Sequence, residues 1–313
     1  MGVKKAMAAL AATSVLLGVA PPTSPASAQT SAPGSATLTV SPPLFETAGS
    51  PGAELKQRVA LTNESDNPRV ITVEKQNFTA RGEEGQAELC IEDCPFPLAP
   101  WVTVTPSTVT IAPKVRQEFD VTINVPGNAE PGGHYGALVF SPAVSDDPNA
   151  NVRVVSQVSA LMLVRVPGDV IETAKIESFE SDKNRYSKGP VNFDIRVKAD
   201  GNVHVKPTGT IEVSNIFGSK IATIPVAGQN VLPSTVRNLK TKWDHSQLFG
   251  PYKAKLTLTY GGTEQKLESS TRFWGAPIIT IAIIAGILLL LFFFLWLPRK
   301  RLKKAFKALA SSE

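Results

Sequence analysis

Between residues 37 and 272 apolar and polar positions alternate along the chain, and helical periodicity is nearly absent. In "EFDVTINV" Phe119, Val121, Ile123 and Val125 share one side, with Asp120, Thr122 and Asn124 opposite. In "VNFDIRVKA" Phe193, Ile195 and Val197 alternate with Asp194, Arg196 and Lys198. In "YKAKLTLTY" the apolar set is Tyr252, Ala254, Leu256, Leu258 and Tyr260. A period of two marks strands buried on one face. Turn signals such as "NESDNP", "VPGNAEPGG", "KADGN" and "YGG" separate them at the spacing of a β-sandwich. The pattern predicts an all-β fold of two tandem Ig-like β-sandwiches followed by a single transmembrane helix. The sandwiches occupy 37–168 and 169–272, with the boundary at "RVPGDV" (Arg165 to Val170).

The ends depart from this pattern. Lys4 and Lys5, the short apolar run Ala6 to Ala20, and Ala26-Ser27-Ala28 predict a signal peptide over 1–28. Residues 29–36, "QTSAPGSA", read as a flexible leader. Ile278 to Leu297 is an uncharged run long enough for a bilayer-spanning helix, flanked by Trp274 and Trp296 as interfacial anchors. Arg299, Lys300 and Arg301 open a basic tail over 298–313, which the positive-inside rule places in the cytoplasm. The expected localisation is therefore the plasma membrane, single-pass type I, with the strand-rich part outside the cell.

This arrangement changes how the charge is read. The chain carries 32 basic and 27 acidic residues, a net of +5. The signal peptide and the tail hold eight of those bases and only Glu313 among the acids, so the intervening chain is at a net of −2. The basic excess is suited to anionic inner-leaflet lipids at the tail. It gives no ground for nucleic acid as a partner.

Candidate chemistry is sparse. His134, His204 and His245 stand far apart, with no metal-ligand spacing, and no nucleophile elbow or phosphate-binding glycine loop occurs. No catalytic residue and no cofactor is expected. Cys90 and Cys94 are the only cysteines, and in an exported chain an even pair predicts a disulfide. It would staple an insertion over 79–100 and contribute about 2 kcal/mol. The stretch "EPGGHYGALVF" looks at first like a loop that moves protons. An internal echo says otherwise: Gly133-His134-Tyr135-Gly136-Ala137-Leu138-Val139 matches Gly250-Pro251-Tyr252-Lys253-Ala254-Lys255-Leu256. The shared pattern keeps the tyrosine and drops the histidine, so Tyr135 and Tyr252 are structural tyrosine-corner candidates, each bonding backbone upstream.

Several segments together resemble the bacterial WxL-interacting protein family. In the first sandwich they are "VSPPLFETAGSPGAELKQRVALTNESDNPRVITVEKQNF", "WVTVTPSTVTIAP" and "PGGHYGALVF". In the second they are "GNVHVKPTGTIEVSNIFGSKI", "VLPSTVRNLKTKW" and "GPYKAKLTLTYGG". The resemblance implies a peptidoglycan-binding first sandwich and a second that binds other surface or host proteins, with WxL-type proteins as the partner class. The function this suggests is non-catalytic, membrane-anchored binding to cell-wall glycan or a surface protein. "RVALTNESDNPRVITVEKQNF" followed by "VTPSTVTIAP" also resembles the first sandwich of pilus-type periplasmic chaperones. That likeness implies the alternative, an extracytoplasmic assembly chaperone or scaffold that pairs a strand edge with a client.

Overall fold

The computed structural model describes residues 38–143, 157–276 and 282–293. These residues form eighteen strands, numbered β1 to β18 in chain order. The first ten make two facing sheets. One has the order β1 (Leu38–Ser41), β3 (Glu54–Asn63), β8 (Arg116–Asn124), β6 (Val102–Thr105). The other runs β2 (Leu44–Ala48), β10 (Val158–Val166), β9 (Gly132–Pro142), β4 (Arg69–Arg81), β5 (Gln86–Cys90), with β7 (Thr108–Ile111) also beside β4. All these pairs are antiparallel except β2 with β10, which is parallel.

The alternation in the sequence sets the register. Val59 faces Phe119 across β3 and β8, and both are fully buried. Their core also holds Leu61, Val121 and Ile123 from this sheet, with Leu138, Phe140 and Met162 from the facing one. Chain continuity between the sheets comes early. The strand that begins as β1 beside β3 crosses at Ser41 to Leu44 and continues as β2 beside β10.

The last eight strands repeat the plan. One sheet is β11 (Ala174–Ser181), β13 (Val191–Ala199), β16 (Val236–Trp243). The facing sheet is β12 (Arg185–Tyr186), β18 (Gln265–Gly275), β17 (Gly250–Tyr260), β14 (Thr208–Asn215), β15 (Lys220–Val226). Phe193, Ile195 and Val197 of β13 and Tyr252, Ala254, Leu256 and Leu258 of β17 meet in its core, as their alternation requires. Both sandwiches belong to one compact unit.

The expected membrane placement is corrected by the structure. The only helix described after β18 covers residues 282–293. Among the described residues no helix is long and apolar enough to cross a membrane. The single-pass topology and its plasma-membrane localisation therefore do not stand, and the tail expected to meet lipid lies outside the described residues. Trp274 is the one expected interfacial anchor that falls among the described residues. It lies in β18, paired with Pro251 and Arg185, and is half exposed. Trp296, Arg299, Lys300 and Arg301 lie outside the described residues, as do the signal peptide and the leader over 29–36.

Candidate functional site: the cleft between the sandwiches

Strand β9 explains where the two sandwiches meet. Every residue from Gly132 to Phe140 is buried, on both faces of the sheet. Leu138 and Phe140 point into the first core. Tyr135, Ala137 and Val139 point the other way and join Phe78, Leu163 and Leu232 in a second apolar cluster. Leu232 comes from the second sandwich, so the outer face of the first sandwich's sheet is the seam.

Two polar joints pin this seam. At one, the Gly133 N–H donates to the Asn202 carbonyl (2.8 Å), and the Asn202 amide donates to the carbonyls of Pro131 (3.1 Å) and Asp169 (3.0 Å). Beside them the Tyr135 hydroxyl accepts the His204 backbone N–H at 2.8 Å, and Arg165 pairs with Glu172. Gly133 is required here, because a Cβ at that position would lie 2.0 Å from the Tyr135 hydroxyl. The second joint is an arm, the hairpin of β4 and β5. Its Glu83 carbonyl accepts the Asn238 N–H (2.8 Å), and its Glu83 carboxylate takes both Nε (2.7 Å) and Nη2 (2.5 Å) of Arg196. Glu84 pairs with Lys240 at 2.7 Å. Gly85, at φ +76°, lets the Arg237 guanidinium lie where a side chain would be, 2.1 Å from a Cβ built there.

Between the joints lies a cleft of about 360 Å³. Leu44, Phe78, Leu161 and Leu163 line the wall from the first sandwich. Leu232 and Val236 line the opposite wall with the polar groups Lys206, Asn230 and Arg237, and Glu46 of β2 faces them from the first sandwich. Burial alone would raise the Glu46 carboxyl, but the Asn230 amide and the Lys206 charge together hold it below the usual carboxylate value. Glu172 behaves likewise: burial is outweighed by the Gly262 N–H and by Arg165. Burial pushes the Tyr135 phenol well above its ordinary value, so it stays a neutral hydroxyl.

His204 is the titratable group at the seam. Burial holds its imidazole below the ordinary histidine value; Glu46 and Glu172 favour its charged form, and Arg165 and Lys206 oppose it. The unfolded chain therefore takes a proton near pH ~6.5 that the folded chain resists, so stability falls as pH drops below about 6.5. Denaturant titrations from about pH 7.5 to 5 are expected to show this loss, and His204→Gln to flatten it. An unchanged slope in His204→Gln would assign the loss to other groups.

The residues singled out in the sequence fall at different places. Cys90, at the end of β5, is joined to Cys94 in a disulfide. The bridge closes an exposed turn, from which the chain returns over β9: Phe96 accepts the Tyr135 N–H at 2.9 Å, and its ring meets Tyr135 edge-on. His134 sits against Trp101, with its ring nitrogens 3.0 Å from the Glu130 carbonyl and 3.3 Å from that of Pro97. It is built into the first sandwich. The echoed tyrosines differ. Tyr252 takes the N–H of Phe249 three residues upstream (3.0 Å), as a corner residue does. Tyr135 reaches forward instead, to His204 in the other sandwich.

Among the described residues no group of three or more His, Cys, Asp and Glu is placed to hold a metal ion. Sequence reasoning did not find Asn202, Asn230 or Arg237. The available signal was in "HYGALVF", which is apolar at both parities and so reads as a strand covered on both faces.

No family model matches the chain, and no curated protein matches it. It is similar to solved structures of fimbrial chaperones. A chaperone–tip adhesin complex of CFA/I fimbriae is 16% identical, over 77% of this chain and 100% of that one, with a TM-score of 0.39. The class 5 fimbriae chaperone CfaA is 14% identical, over 76% and 100%, with a TM-score of 0.38. The YadV chaperone is 10% identical, over 76% and 100%, with a TM-score of 0.37. The superpositions are loose.

Proposed function

We propose that the protein is a non-catalytic binding protein that takes an extended segment of a partner protein into the cleft between its sandwiches, as a scaffold or assembly chaperone would. One observation carries this reading. The two sandwiches are pinned at both ends of their seam yet leave a roughly 360 Å³ space between apolar walls, within the size range of ligand sites. The wall strand β2 supports it, since among the described residues β2 has β10 on one side only and ends its sheet. An extended segment fits such a place because its side chains alternate between walls while its backbone bonds a strand edge. A surface protein of the WxL type is the partner class that the sequence resemblance suggests.

Site-specific photocrosslinking in the producing cell tests this. A benzophenone side chain at Leu44, inside the cleft, is expected to capture a partner protein, whereas one at Ile221, exposed on β15, is not. Equal capture at both positions, or capture at Ile221 alone, would defeat the cleft reading.

A further inference from the structure

The cations along the seam are paired, with one exception. Arg165 has Glu172, Arg196 has Glu83, Lys240 has Glu84 and Lys206 has Glu46. Arg237 is half-buried at the wall of the cleft and, among the described residues, has no carboxylate within salt-bridge distance. Its two hydrogen bonds go to neutral acceptors: Nε to the Gln229 side chain (3.0 Å) and Nη1 to the Asn230 carbonyl (2.7 Å). A guanidinium has five N–H donors, so three are left over. Burial without a counter-ion holds it below the ordinary arginine value.

Next to this surplus of donors is a stranded acceptor. Among the described residues, Asn230 Oδ1 is buried with no hydrogen-bond partner. Its amide nitrogen is committed to Glu46, which fixes the oxygen's orientation. Buried polar groups are normally satisfied, and each exception asks for an explanation. A donor fork without an anion lies on the wall of an apolar cleft, beside an Asn230 amide already committed to Glu46. Its complement is a carboxylate, which an extended peptide supplies as an acidic side chain.

We infer that the cleft selects an acidic residue set among aliphatic ones in an extended peptide. Arg237 takes the carboxylate, and Leu44, Leu161 and Leu163 take the apolar neighbours. This rests on the partner-binding reading of the cleft. It also accounts for Gly85, which leaves the guanidinium its place at the wall.

The test is a random peptide library displayed on phage, selected on the purified full-length protein. Enriched peptides are expected to share Asp or Glu flanked by aliphatic residues. Arg237→Gln should weaken their binding roughly tenfold or more, the scale of a hydrogen-bonded charge. Arg237→Lys, which keeps the charge but not the planar fork, should fall between. In the free protein Arg237→Gln should leave the melting temperature unchanged or raise it, because it removes a charge without a partner; an arginine that only braces the seam would lower it. A consensus without acid, or acidic peptides held as tightly by both variants, would overturn the inference. In that case Leu44→Trp, which fills the cleft mouth, decides the broader reading: blocked peptides keep it, and unaffected peptides remove it too. No enrichment at all would overturn both.

Discussion

Val139→Asp is expected to part the two sandwiches while leaving the first one folded. Val139 is buried in the seam cluster with Tyr135, Ala137 and Leu163, and Leu232 is what the second sandwich brings to that cluster. A carboxylate there has no cation on its face of β9, and an uncompensated buried charge costs on the order of 3–5 kcal/mol. The adjacent residues Leu138 and Phe140 point to the other side, into the first core, and are untouched. Chemical denaturation should therefore change from one cooperative transition to two, with the second sandwich melting apart from the first. The control is Leu138→Asp, which strikes the core itself and should prevent the first sandwich from folding. A single transition with an unchanged midpoint in Val139→Asp would show that the seam is not a cooperative interface.

Tyr135→Ala should be nearly as damaging, for a different reason. The ring fills space between Phe78, Phe96 and His204, all meeting it edge-on. Truncating a buried aromatic costs about 3–5 kcal/mol, most of it from the cavity left behind. Tyr135→Phe separates the hydroxyl from the ring. It leaves the His204 N–H without its acceptor and should cost about 1–3 kcal/mol. Tyr252→Phe strands the Phe249 N–H in the same way, and its cost should be similar. The two are told apart by coupling. Loss at Tyr135 weakens the link between sandwiches, so the transitions separate; loss at Tyr252 lowers the second sandwich alone. Equal separation in both variants would mean that the forward reach of Tyr135 carries no special energy.

That difference also marks where sequence reasoning stops. The stretches "EFDVTINV", "VNFDIRVKA" and "YKAKLTLTY" fall on β8, β13 and β17, with only Val125 beyond the end of its strand, because burial of one face writes a period of two that no other element shares. The echo between Tyr135 and Tyr252 is equally visible as a pattern. What each hydroxyl bonds is not, since the local motif is the same and only the distant neighbour differs. The cleft is harder still. Leu44, Phe78, Leu163 and Arg237 are far apart in the chain, and nothing near Arg237 in "PSTVRNLK" distinguishes it from an ordinary strand-surface arginine. Its lack of a carboxylate is a property of the assembled seam. The apolar run at the C-terminal end misled for the opposite reason: composition alone suggests a span, whereas no helix among the described residues is long and apolar enough for one.

The pairing of β2 with β10 has a kinetic consequence. As the chain is made from its N-terminus, β1 can find β3 early, but β2 must wait for the last strand of its sheet. Long-range parallel pairing of this kind is slow to form. A chain that ends just after Val166 would hold every strand of the first sandwich yet expose Tyr135, Ala137, Val139 and Leu163 along an uncovered sheet face. Such a fragment would be sticky while it waited for its cover. Expressing the two halves separately should consequently yield an aggregating first half, and mixing it with the second half during refolding should recover soluble material.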